Sequence, residues 1–230
     1  MNDAIDDFEL LQRWVRDDKK AANDLLDRHF RTLHRFFINK AAERDIHDLI
    51  QDTMKACAKS IASFRHDAAF KTFLLSIARN ILLHHYRRHR RKEALLDPLT
   101  EGTNSFIEAA GISSLLARRR EQELILAALR TIAFNHQVVL ELHFWEGLSA
   151  HECALVLDVP DSTIKGRLHR AKLALKTALE TGTGTPAEKR SITSAMASWI
   201  LGIQDHIRQG SPEAARIVAA WDNADHDPGG

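Results

Sequence analysis

The stretch Phe64–Lys92, FRHDAAFKTFLLSIARNILLHHYRRHRRK, limits the fold more than any other part of the chain. From Ala68 to Lys92 it holds no Asp or Glu, yet it carries Lys71, Arg79, Arg87, Arg88, Arg90, Arg91 and Lys92, with His84, His85 and His89 among them. Phe70, Phe73, Leu74, Ile77 and Ile81 recur at three- and four-residue steps, which predicts an amphipathic helix with that row toward a core. Helical geometry sets Thr72, Ser76, Arg79, Leu83, Tyr86 and Arg90 on the opposite side, a cationic and hydrogen-bonding stripe. Past Leu82 the apolar row is taken over by His84, Arg88 and Arg91, so the helix is expected to outrun its core. A solvated surface helix ordinarily mixes Glu with Lys. One that carries cations alone is suited to the phosphates of a nucleic acid.

Around this stretch the chain reads as all-α. Its 230 residues suffice for one large or two small domains. Helical periodicities run throughout, no strand-like alternation persists, and the few Gly and Pro are clustered. The net charge of +1 conceals a polarity: residues 1–92 hold 19 Lys/Arg against 13 Asp/Glu, residues 93–180 hold 9 against 12, and 181–230 hold 4 against 6. The positive charge therefore sits where a polyanion can use it. Cys57 and Cys153 are too few and too far apart for a disulfide or metal framework, and are expected as buried thiols in a reducing compartment. The start MNDAIDDFELL lacks a signal peptide's basic and apolar runs, and no apolar stretch is long enough for a bilayer. The expectation is a soluble, cytoplasmic protein with no membrane insertion.

In chain order, residues 8–38 predict a helical hairpin, with Phe8, Leu11 and Val15 on one apolar face and Leu25, Leu26, Phe30, Leu33 and Phe37 on the next. The polar DDKK at 17–20 makes the turn. A third helix is predicted from Asp45 to Phe64, packed through Ile46, Leu49, Ile50, Thr53, Met54 and Cys57. Its other side presents Asp48, Gln51, Asp52 and Lys55, a polar patch that complementing the helix dipole would explain. Residues 93–114, punctuated by Pro98, Gly102 and Gly111, read as an acidic linker.

Helical order resumes near Leu115, through Leu124, Ile125, Ala128, Leu129 and Ile132. Asn135 is expected to cap a helix from His136 to Trp145, which Gly147 ends. Ser149 and Glu152 form a capping box, and Cys153, Ala154, Val156 and Leu157 pack the short helix that it opens. After the turn Asp158-Val159-Pro160, a second helix rests on Ile164, Leu168, Ala171 and Leu175. It turns Ser162, Thr163, Lys165, Arg167, His169, Arg170 and Lys172 outward or sideways. This is the plan of a helix-turn-helix, whose second helix enters a major groove.

Taken together, DLIQDTM at 48–54, FRHDAAFKTFLLSIARNILLHHYRRHRR at 64–91 and EGLSAHECALVLDVPDSTIKGRLHRAKLAL at 146–175 resemble a bacterial sigma factor of the small, extracytoplasmic-function group. The resemblance covers about residues 8–180 and implies core RNA polymerase and promoter DNA as partners, with an anti-sigma protein as a further candidate. It implies a region 2-like helical domain over 1–92, the linker 93–114 and a region 4-like domain over 115–180. By position, Asp48, Leu49, Gln51, Asp52 and Lys55 are the candidates for docking on polymerase. Phe64, Arg65, His66 and Asp67 form the loop that would receive a flipped −10 base, and Lys71, Phe73, Arg79, Asn80, Tyr86, Arg87 and Arg90 would hold the opened strand. Ser162, Thr163, Lys165, Arg167 and Arg170 are the candidates for reading the −35 element. Phe73 stands where the family usually has Trp, and Gly166 where a small polar residue is common.

Two other readings are open to the residues alone. A helix-turn-helix regulator of duplex DNA would use 146–176 without needing Phe64–Lys92. A metallohydrolase would use His85 and His89, but the intervening Tyr86-Arg87-Arg88 supplies no carboxylate, and the flanking Arg repels a metal ion. No glycine-rich phosphate loop or nucleophile constellation is visible, so no enzyme, cofactor or metal is expected. Residues 181–230 form a C-terminal extension. TGTGTP at 181–186 reads as a flexible linker, followed by the apolar rows Ile192, Ala195, Met196, Trp199, Ile200, Ile203, Ile207 and Ala215, Ile217, Val218, Trp221. Such rows need cover: the extension either folds back on a DNA-binding domain to regulate access, or enlarges the second domain's core.

Overall fold

The structure, a computed structural model, describes residues 6–64, 68–94 and 117–194, with the side chains of 63, 90–94, 117–122, 191, 193 and 194 excepted. Every regular element among the described residues is helical. The chain divides into two compact units, residues 1–110 with 155–157, and residues 111–154 with 158–230.

The first unit opens with α1 (Asp7–Val15) and α2 (Lys19–Ile38), an antiparallel hairpin. Asp17 takes a left-handed φ of 70° at the turn. Asp18 then caps α2, its carboxylate accepting the Lys20 and Ala21 N–H at 3.0 and 3.1 Å. The Arg13 guanidinium closes on the same carboxylate at 2.8 Å. The Ala21 N–H, and Arg13 next, hold the Asp18 carboxyl below its ordinary value. Lys19 and Lys20 thus belong to the first turn of α2 and not to the connection. Asp7 makes a second stitch, accepting Arg28 at 2.6 Å and His29 Nε2 at 2.7 Å. The buried row of α1 is Leu10 and Leu11, while Phe8 and Val15 are each 53% exposed. Of the predicted row, Leu11 is inside and Phe8 and Val15 are not, with Leu10 joining it. In α2, Leu25, Leu33, Phe36 and Phe37 are buried, and Phe30, predicted inside, is on the surface.

Helix α3 (Glu43–Ser60) buries Ile46, Leu49, Ile50, Thr53 and Cys57, as its periodicity predicts, and ends in a 3₁₀ turn, Ile61–Ser63. Helix α4 (Phe70–Ala94) packs on α3 and α2 through Phe70, Leu74, Leu75, Ala78 and Leu82. Its face is rotated from the predicted one: Ile77 and Ile81 are half-buried, and Thr72, expected on the polar side, is buried. The rotation also carries Tyr86 inward, where its hydroxyl donates to the carbonyl of Lys40 at 2.5 Å. Lys40 is itself only 1% exposed, with its ammonium 4.4 Å from the centroid of the Phe36 ring. The helix does not leave its packing at Leu82, since His85, Tyr86 and His89 are all half-buried.

The second unit begins with α5 (Ala117–Thr131), which buries Leu124, Ile125, Ala128 and Leu129. Helix α6 (Phe134–Leu140) is capped at Ala133, so Asn135 lies in its first turn and does not cap it. The helix widens into a π turn at Glu141–Trp145, where the Glu146 N–H reaches the Glu141 carbonyl at 3.0 Å. Gly147, at φ 67°, ends it, and the Leu148 N–H closes on the Leu142 carbonyl at 3.0 Å. The predicted capping box is present. Glu152 Oε2 accepts the Ser149 N–H at 2.9 Å, and Ser149 Oγ accepts the Glu152 N–H at 3.2 Å. Helix α7 (Ala150–Leu157), a turn with Asp158 at φ 52°, and α8 (Asp161–Thr181) follow. Ile164, Ala171, Leu175 and Leu179 bury α8. Lys172, predicted to point outward or sideways, is 8% exposed, with its ammonium 5.6 Å from the Phe144 centroid.

The segment read as a flexible linker is a defined connection. Thr185 and Glu188 make a second capping box, with Glu188 Oε2 accepting the Thr185 N–H at 2.6 Å and Thr185 Oγ1 accepting the Glu188 N–H at 3.2 Å. It opens α9 (Pro186–Ser194), which packs on α5 and α8 and fully buries Ile192. At Gly184, φ is +126° and an added Cβ would sit 3.2 Å from a Leu124 methyl, so glycine is required. The apolar rows predicted from Ala195 onward lie outside the described residues.

Candidate nucleic-acid interface

Helix α4 carries the chemistry of the first unit. Asn80, His84, Arg87 and Arg88 follow one another at helical steps and are all exposed, an outward row with donors and no acid. At the start of the helix, the Phe73 ring lies 4.7 Å from that of Phe64 and 6.4 Å from that of Phe70. Phe64 and Phe73 are both half-buried, so each offers part of a flat apolar face. Lys71 and Arg79 are half-buried as well. Ser76 turns its hydroxyl back to the Phe73 carbonyl at 2.7 Å. Tyr86 differs from the other predicted strand-holding residues, because its hydroxyl is engaged by Lys40 inside the unit. Arg65, His66 and Asp67, and the side chain of Arg90, lie outside the described residues.

On α3, Asp48, Gln51, Asp52 and Lys55 are exposed together, and Lys55 lies 3.7 Å from Asp52. Leu49, predicted with them, is 4% exposed and supports the patch from the core side. A shallow groove between α3 and α4 is lined by Leu49, Asp52, Ile81, His84, Arg87 and Arg88, so the polar patch and the basic row share a border. His85 also lines it, with Nε2 3.5 Å from Asp45 Oδ2 at the start of α3.

In the second unit the five predicted readers occupy the first ten residues of α8. Ser162, Lys165 and Arg170 are exposed, and Thr163 and Arg167 half-buried. His151 in the first turn of α7 pairs with Asp161 in the first turn of α8 at 2.7 Å, an exposed contact between the two helices of the motif. His136, at the start of α6, has its proton affinity lowered by burial and then by the charges of Arg170 and Arg167. Neither histidine was singled out from the sequence, because each acts on a residue that only tertiary packing brings near. Gly166 is exposed, with nothing nearer to an added Cβ than Arg170 Nη2 at 4.0 Å.

Residues 22–92 match the family described as Sigma-70 region 2, and residues 122–175 match Sigma-70, region 4. An ECF RNA polymerase sigma-E factor from Haemophilus influenzae is 27% identical over 180 residues, covering 75% of this chain and 94% of its own. The chain belongs to the extracytoplasmic-function sigma factors. The sigma-E factor of Escherichia coli strain K12 is 23% identical to this sigma factor over 181 residues, 76% of this chain and 95% of its own. In fold, the sigma factor is similar to CnrH bound to the cytosolic domain of CnrY, with a TM-score of 0.53 at 22% identity over 76% of this chain and 97% of that one. The sigma factor RpoE of Bartonella quintana, solved with the anti-sigma factor NepR, gives a TM-score of 0.54 at 22% identity over 72% and 99%. As a sigma factor the protein binds core RNA polymerase, recognises promoter −35 and −10 elements and promotes strand opening. No described helix is long and apolar enough to cross a membrane.

Proposed function

We propose that the sigma factor divides promoter work between its units, residue by residue. Asp48, Gln51, Asp52 and Lys55 on α3 dock on the polymerase, with Leu49 holding their backbone in place. Phe64, Arg65, His66 and Asp67 take up an unpaired −10 base, and the exposed part of the Phe73 ring extends that apolar surface. Lys71, Arg79, Asn80, Arg87 and Arg90 retain the separated strand. Tyr86 contributes by fixing α4 to the chain at Lys40. On α8, Ser162, Thr163, Lys165, Arg167 and Arg170 read the −35 duplex. The observation that carries this reading is the acid-free row Asn80–His84–Arg87–Arg88 beside a half-exposed aromatic pair: duplex binding alone has no use for rings at the strand-opening end.

The corresponding division of the chain is 1–92, 93–114, 115–180 and 181–230, and the packing of α9 on α5 and α8 supports a tail that begins by enlarging the second domain. The protein works where the polymerase is, in the cytoplasm, without catalysing a reaction. The relatives solved with CnrY and NepR support an anti-sigma protein as a further partner.

Run-off transcription with purified protein and core polymerase tests the reading. A sigma factor gives a transcript and permanganate-reactive thymines, whereas a regulator of duplex DNA gives neither. Lys71→Ala or Arg79→Ala should slow opening more than closed-complex binding, and Arg167→Ala should weaken dependence on the −35 element. Variants with wild-type footprints and opening rates would overturn the residue assignments.

A further inference from the structure

Asp45 in the first turn of α3 and His85 and His89 on α4 converge although 40 residues separate the carboxylate from the first imidazole. Their ligand atoms all lie within 4.8 Å of one another, and His85 Nε2 is 3.5 Å from Asp45 Oδ2. The two imidazoles, one helical turn apart, have ring centroids 4.3 Å from each other. All three residues are half-buried, so backbone and packing restrict them while one side stays open to solvent. The sequence speaks against a metal here on two grounds, the flanking Arg and the lack of a carboxylate between the histidines; the fold supplies a carboxylate from the neighbouring helix.

We propose that Asp45, His85 and His89 form a binding site for a first-row divalent transition-metal ion of the zinc, cobalt or nickel class. Two imidazoles and one carboxylate are the donor set that such ions favour over magnesium or calcium. Zinc bonds of about 2.0–2.2 Å place tetrahedral ligand atoms about 3.4 Å apart. Asp45 and His85 are already at that separation. The other pairs lie within 4.8 Å and so need to close by at most about 1.4 Å, within reach of side-chain rotation. Arg88 is exposed, so its repulsion of an incoming cation is largely screened by solvent and salt. The ion would join the start of α3 to the C-terminal half of α4, leaving its remaining position to water.

The test is titration of the full, chelator-treated chain with Co²⁺, read by its visible ligand-field absorption, then displacement by Zn²⁺. The wild type should bind one equivalent saturably. His89→Gln and Asp45→Asn should each weaken binding by more than roughly tenfold, the scale of losing even an outer partner of a ligand. His84→Gln, which alters the exposed neighbour, should leave it unchanged. Circular dichroism checks that the variants are folded, and Zn²⁺ should raise the unfolding temperature of the wild type but not of His89→Gln. Equal binding by wild type and His89→Gln, no saturable absorption, or loss of binding in His84→Gln alone would each overturn the site.

Discussion

Replacing Tyr86 by Phe removes one oxygen from α4 and leaves the ring, so no cavity opens and no charge changes. What is lost is the hydrogen bond to the carbonyl of Lys40, a residue 1% exposed. Depriving a buried acceptor of its donor costs about 1–3 kcal/mol. For a unit of this size each kcal/mol lowers the midpoint by about 4–8 °C. The thermal transition of the first unit should therefore fall by about 6–18 °C, using a central slope of about 6 °C per kcal/mol. Circular dichroism or calorimetry on the full chain reads that shift. Permanganate footprinting at a temperature below both transitions reads strand opening in the same preparations. The reasoning requires a lowered midpoint with opening close to wild type once the fraction folded is matched. An unchanged midpoint with opening lost would show that the hydroxyl acts on DNA and that its bond to Lys40 is energetically idle.

Two glycines should respond in opposite directions. Gly166→Ala should raise the stability of the second unit by about 1 kcal/mol, since the site is helical and open, whereas Gly184→Ala should lower it through the left-handed φ and the Leu124 contact. Urea midpoints measure both, and a destabilising Gly166→Ala would refute the description of α8. Burial pushes the Cys57 and Cys153 thiols up to about 12, so iodoacetamide at mildly alkaline pH should leave both intact in the native chain and alkylate both after denaturation. Burial also lowers the proton affinity of His143, despite the bond from its Nδ1–H to the Leu148 carbonyl, and that of His136. A depressed native value means that their full contribution is present above an unfolded pKa of about 6.5 and is lost as pH falls through the native value. The second unit should melt at lower temperature at pH 5 than at pH 7.5, and a flat or opposite profile in calorimetry would refute this.

Periodicity and capping chemistry made much of this molecule legible. The core row of α3, the Ser149–Glu152 box and the Gly147 stop are local signals, and the structure contains each of them. The buried face of α4 was read less well. Its apolar residues, Phe70, Phe73, Leu74, Leu75, Ile77, Ile81 and Leu82, span more of the circumference than one neighbour covers, so α2 and α3 decide which of them go inside. That choice carries Tyr86 inward. Lys172 was misread because a charged end suggests solvent, while its stem and ammonium pack by Phe144. The glycines of TGTGTP ordinarily mean a slack connection, whereas Thr185 followed three residues later by Glu188 fits the capping box that the structure contains. Of the Asp45–His85–His89 cluster the sequence shows the two histidines one helical turn apart, but nothing in it links them to Asp45, which meets them only when α3 and α4 pack.

The π turn at Glu141–Trp145 accommodates a residue that an ordinary helix of the same length would not hold. Each residue of an α-helix advances the chain by about 100° around the axis. Deleting a single position here would let the segment relax to regular winding and would turn the residues that follow by roughly that angle. Leu142, Phe144 and Trp145 are buried, so the turn would take them out of the core, and single-residue deletions between His136 and Gly147 should register first as a lowered melting temperature of the second unit.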